Sequence, residues 1–96
     1  EREAMYLHLG NSVVIRKADL VGVFDLDNAS QSPRTRQFLA AAERSGSVIN
    51  AAGDEIPKSF IVCADEKAGQ RVYLSQLNTS TLLRRSAGRG LDASFE

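Results

Sequence analysis

Metal and disulfide chemistry have almost nothing to work with in this chain. Its 96 residues contain one cysteine, Cys63, one histidine, His8, and no tryptophan. A lone cysteine excludes a disulfide framework, and one Cys with one His excludes a zinc site built from those ligands. An excess of one charge is also missing, because twelve Lys+Arg balance twelve Asp+Glu to a formal net charge of +0. That balance excludes the bulk basicity of a histone-like protein while leaving room for a local basic patch. No apolar run approaches the ~20 residues of a spanning helix. Residues Glu1 to Met5 lack the basic-then-apolar order of a signal peptide. A cytoplasmic location is therefore expected, with no membrane partner. Neither G-x-x-x-x-G-K-[ST] nor G-x-G-x-x-G occurs, so no phosphate cradle is visible. The chain reads as a non-enzyme with no cofactor, no metal and no small-molecule substrate.

What is present is ordinary globular composition. Hydrophobic residues at 43% and charged residues at 25% set it apart from a disordered chain. Ninety-six residues suffice for one small domain, since two cores would each be too small to stand alone. Met5 after four polar residues reads as an internal start, with residues 1–4 a remnant ahead of it. Tyr6 to Leu9 forms a first strand, Gly10-Asn11 a turn and Ser12 to Ile15 its partner in a hairpin. Leu20 to Phe24 is a third strand whose apolar continuity points to burial on both faces or to an oligomer contact. Gly22 within it marks a bulge or a close backbone approach.

Ser32-Pro33 opens a helix over roughly Arg34 to Ser45, with Ser32 as cap, Pro33 at the first position and Gly46 as the stop. Thr35, Phe38, Leu39 and Ala42 share its inward face. Strands follow at Val48 to Asn50, Ser59 to Ala64 and Arg71 to Ser75. A second helix follows Asn78, with Thr79 to Arg85 carrying Leu82 and Leu83. The expected fold is one α+β domain of order β-β-β-α-β-β-β-α with a mainly antiparallel sheet. It spans residues 5–85, and residues 86–96 form a flexible tail. Its expected core is Val14, Leu20, Val23, Phe38, Leu39, Val48, Ile61, Val62, Val72 and Leu74.

Single reactive groups have bland readings. His8 falls in an alternating strand and reads as a partly exposed structural residue. Cys63 lies in the apolar run Phe60 to Ala64 and reads as a buried, inert thiol. Asp25, Asp27 and Asn28 offer oxygens at alternate positions but lack the glycine and terminal glutamate of a calcium loop. They fit turn capping, or the N-terminal end of the following helix, where the macrodipole favours negative charge.

The cations are more informative. Arg16 and Lys17 lie at the turn into the third strand, and Lys58 precedes the central strand. Arg44 lies on the polar face of the first helix. Arg84 and Arg85 suit a helix C-terminus. Arg34 and Arg36 sit instead in the first turn of a helix, where positive charge is mildly unfavourable. Their placement suggests an external anion such as DNA phosphate, although a solvated surface accounts for them equally well. Leu20, Val21, Val23, Phe24 and Ile56 form a candidate oligomer interface. The alternative is that the two helices cover this strand completely.

Several separated segments carry a family resemblance. Tyr6 to Asn11, Leu20 to Asp27 and Ser32 to Leu39 resemble the Rem family of bacterial extracellular-matrix (biofilm) regulators, nearer its RemB branch than RemA. Pro57 to Cys63 and Val72 to Leu77 fit the same pattern, so the agreement runs from Met5 to Arg85. The resemblance implies a small cytoplasmic transcription regulator. RemA-type members form ring-shaped oligomers that present arginines to DNA. DNA and further copies of the chain are thus the implied partners. The implied DNA-binding set here is Arg16, Lys17, Arg34, Arg36 and Lys58. Two positions depart from the RemA pattern: Asp19 replaces an arginine, and Asp54 to Lys58 retains only Lys58 where an arginine pair stands. An oligomeric modulator of a DNA-binding paralogue, with little DNA affinity of its own, is the alternative function.

Overall fold

The computed structural model describes residues 5–26, 32–67 and 69–87. Elements follow in the order β1 (Tyr6–Gly10), β2 (Val13–Arg16), a 3-10 turn (Lys17–Asp19), β3 (Leu20–Asp25), α1 (Pro33–Arg44), β4 (Val48–Asn50), β5 (Ser59–Asp65), β6 (Gly69–Ser75) and α2 (Thr79–Ala87). The α+β class and the element order expected from sequence are both found. The strands divide into two sheets, a β1-β2 hairpin and a four-stranded sheet of order β3-β5-β6-β4. β3, β5 and β6 run antiparallel, whereas β4 joins β6 in parallel through Val48↔Val72, Ile49↔Tyr73 and Asn50↔Leu74. The sheet is therefore mixed at one edge.

Alternation along β5 makes two cores. Ile61 and Cys63 face one side, with Tyr73, Leu7, Leu9, Ile15 and Leu82. Phe60 and Val62 face the other, with Val72 and Ala42, and Phe38, Leu39 and Val48 pack around them. The hairpin and α2 thus cover one face of the sheet, and α1 covers the other. β5 lies between the two layers with Ser59 through Cys63 all buried, which explains its unbroken apolar run.

The hairpin corrects one expected core residue. Asn11 and Ser12 have φ of 50° and 66°, a left-handed turn, and the register pairs Leu7 with Ile15 and His8 with Val14. Leu7 and Ile15 consequently point inward while Val14 is exposed beside His8. Ile61, Val62 and Val72 are buried as expected, and Leu20, Val23, Phe38, Leu39, Val48 and Leu74 are partly buried against the cores.

Both helices begin and end on chemistry that was legible in sequence. At α1, Ser32 Oγ accepts from the Thr35 amide at 3.5 Å, and Pro33 follows at the first position. Gly46, at φ 75°, closes the helix. The Gly46 amide donates to Glu43 and the Ser47 amide to Ala42, the paired bonds of a Schellman motif. At α2, Asn78 Oδ1 accepts from the Thr81 amide at 2.9 Å. Leu82 is buried, but Leu83 is exposed, because successive helical residues point about 100° apart.

Candidate nucleic-acid interface and its apolar flank

The five proposed DNA-facing cations occupy separate parts of the protomer. Arg16 ends β2 and is exposed. It lines a polar cleft of ≈ 550 Å³ with Asp19, Asp65, Glu66 and Lys67, at the end of the sheet where Leu20 pairs with Cys63. Lys17 follows, and its ammonium donates to the Ser86 carbonyl at 2.8 Å, so it caps the last turn of α2. Lys58 stands at the other end of β5, fixed by its backbone: its amide donates to Ser75 and its carbonyl accepts from Leu26. The six residue steps from Ser59 to Asp65 put the two ends about 20 Å apart. Arg34 and Arg36 lie on α1, exposed, across the sheet from the hairpin. A single protomer therefore does not gather the five into one patch.

Negative charge accompanies two of these positions. Asp19 shares the cleft with Arg16, and Asp54 and Glu55 are exposed in the loop leading to Lys58. The first turn of α1 has no acidic residue, so Arg34 and Arg36 are the least opposed cations along the chain.

The apolar candidates also divide. Leu20 and Val23 turn inward and pack on the hairpin-side core. Val21 and Phe24 are exposed at 64% and 42%, and Ile56 at 81%. β3 is consequently not buried on both faces, and the helices do not cover it completely. It is an edge strand, with β5 on one side and an open edge on the other. Its register shifts between Leu20 and Gly22, the bulge expected from the glycine. A Cβ at Gly22 would lie 2.7 Å from the Phe24 ring. Glycine thus lets that ring fold back along its own strand and stack on Phe60 at 5.0 Å between centroids.

Between β3 and α1 this leaves a groove of ≈ 390 Å³, walled by Val21, Phe24, Phe38, Phe60 and Val62, with Arg34 at its rim. Phe38 tilts against Phe60 at 6.4 Å. Sequence reading assigned Phe38 to the core and passed over the groove, because an open flank depends on which strand ends the sheet. The glycine two residues before Phe24 was the available signal.

The remaining reactive groups are structural. Cys63 is buried, and burial pushes its thiol up to about 11, with Arg71 opposing and Asp19 adding to the rise. Arg71 pairs with Asp65 at 3.1 Å and lies 6.0 Å from the Tyr73 ring centroid. His8 is exposed on the outer face of β1. Among the described residues, no three His, Cys, Asp or Glu side chains cluster to hold a metal. Asp25 lies at the end of β3, and Asp27 and Asn28 fall outside the described residues. No helix among the described residues is long and apolar enough to cross a membrane.

Comparison with known proteins gives this arrangement a relationship. The RemA-like family, described as extracellular matrix regulatory protein A-like, matches residues 6–85. Extracellular matrix regulatory protein B of Bacillus subtilis (strain 168) is 34% identical over 82 residues, covering 85% of this chain and 90% of that protein.

Proposed function

Because the chain belongs to the RemA-like family of extracellular matrix regulatory proteins, we propose that it is a non-enzymatic transcription regulator of matrix, or biofilm, genes. It self-assembles and binds DNA through Arg16, Lys17, Arg34, Arg36 and Lys58, which places it in the cytoplasm. The observation that carries this reading is the family match over nearly the whole described fold. Self-association is supported by the sheet itself. Its two edges, β3 and β4, are different strands and both are open in the protomer. An edge of one kind docking on an edge of the other is a head-to-tail contact, which closes into a ring when the rotation between copies permits. Repetition then supplies what one protomer lacks. Cations spread over separate surfaces recur from copy to copy, and many weak phosphate contacts act together.

The test is a double change, Arg34→Ala with Arg36→Ala. DNA affinity is expected to fall while the mass of the assembly, read by light scattering after size exclusion, stays the same. Unchanged affinity at low salt would remove α1 from the interface.

Asp19 beside Arg16, with Asp54 and Glu55 ahead of Lys58, favours a second reading. In it the protein assembles with a DNA-binding paralogue and modulates it without gripping DNA. Association with that paralogue in the absence of DNA, together with no DNA binding at low salt, distinguishes this reading from the first.

A further inference from the structure

The groove beside β3 calls for an occupant, and the chain carries one. We propose that residues 91–96, Leu91-Asp92-Ala93-Ser94-Phe95-Glu96, dock along the open edge of β3 in the same protomer. Leu91, Ala93 and Phe95 enter the groove against α1. The inference goes beyond the regulatory reading and does not depend on DNA binding.

Four observations converge on this segment. The first is where the described chain stops. Lys17 Nζ holds the Ser86 carbonyl at 2.8 Å, so the end of α2 is pinned three residues before β3 begins at Leu20. Residues 88–90, Gly-Arg-Gly, reach about 10 Å when extended, enough to round the edge of the sheet. The second is length. Six residues from Leu91 match the six of β3, Leu20–Asp25.

The third is pattern. Apolar and polar residues alternate without a break from Leu91 to Glu96, the period of a strand with one buried face. Strand addition to an open edge supplies main-chain hydrogen bonds, and pockets for alternate side chains supply the selection. Here the pockets are the exposed apolar walls at Val21 and Phe24. The fourth is charge. Asp92 and Glu96 fall on the opposite side of such a strand, the sheet face covered by α2, whose exposed last turn carries Arg84 and Arg85.

Tethering favours this occupant over another molecule. A short flexible linker gives an effective concentration in the mM range. A segment that binds as a free peptide with a dissociation constant of about 0.1 mM is then docked about nine-tenths of the time. A second copy seeking the same edge at micromolar concentration must displace it. The tail therefore acts as a guard on one assembly surface of the sheet.

Three chains test this: the full chain, a chain ending at Ala87, and full-length Phe95→Asp. Amide hydrogen exchange is measured at the outward-pointing amides of β3, at several protein concentrations. In the full chain these amides are expected to exchange about tenfold more slowly than in the other two, independently of concentration. A synthetic peptide of residues 88–96 is expected to restore protection to the shortened chain and to leave the full chain unchanged. Equal exchange in all three chains would overturn the proposal. So would protection that grows with protein concentration and survives truncation, since a second copy would then be the occupant. Neither result touches DNA affinity, so failure here is distinguishable from failure of the regulatory reading.

Discussion

At the scale of single residues, Cys63 illustrates how burial converts a reactive group into a packing group. The thiol lies among Leu7, Leu9, Ile15 and Ile61, and burial raises it from the ordinary 9.0 to about 11. Below pH 9 the thiol is protonated both folded and unfolded, and its contribution to stability is fully present. Between 9 and 11 the unfolded thiol ionises first, so stability falls as pH rises. The loss levels off above 11 at on the order of 2 kcal/mol. Tyr73, also raised chiefly by burial, acts in the same direction. Urea unfolding at pH 8, 10 and 11 is therefore expected to show declining stability, with a shallower decline in Cys63→Ala. A thiol reagent at pH 8 is expected to react with native Cys63 only as fast as the protein opens. Ser75 makes the complementary point for hydrogen bonds. It is buried, and its hydroxyl donates to the Leu9 carbonyl at 2.6 Å, joining the hairpin to the main sheet. Ser75→Ala leaves that carbonyl without its partner and is expected to cost about 1 to 3 kcal/mol in the same unfolding experiment.

Elements differ in how far local chemistry determines them. α2 is nine residues long, marginal as an isolated helix. It is held by the Asn78 cap, by Lys17 at its last turn and by Leu82 in the core. Leu82→Ala is expected to destabilise the protein by about 2 to 5 kcal/mol. Asn78→Ala is expected to cost about 1 kcal/mol, and thermal or urea unfolding checks both. The elements legible in sequence were those whose signals are local. Ser32-Pro33 and Gly46 bracketed α1 closely, and the unbroken run at Phe60 marked β5. Val14 was misplaced because the residues that set the hairpin register are the two left-handed ones, Asn11 and Ser12, and a one-residue shift exchanges the faces. The parallel docking of β4 was not legible, because strand order is a non-local property. Neither was the edge position of β3, whose apolar residues read as buried on both faces until its neighbours were known. The groove at Phe24 and the division of the cations between two faces of the sheet escaped for the same reason.

For the whole molecule, the balance of charge and the placement of charge lead to different expectations. Zero net charge provides little long-range attraction to DNA, so affinity has to come from cations repeated in register over many copies. The five sites, at both ends of the sheet and on α1, are of little use to an isolated protomer and become useful only in an assembly. The central claim is therefore that DNA binding is electrostatic and belongs to the assembled form. Titration of DNA with the assembled protein over a series of salt concentrations tests it most directly, with assembly mass monitored in the same samples. The account predicts that log K falls linearly with log salt, by about 0.9 per phosphate contacted, with a slope corresponding to several contacts per assembly. An absence of binding at low salt, or an affinity indifferent to salt while the assembly remains intact, would contradict it.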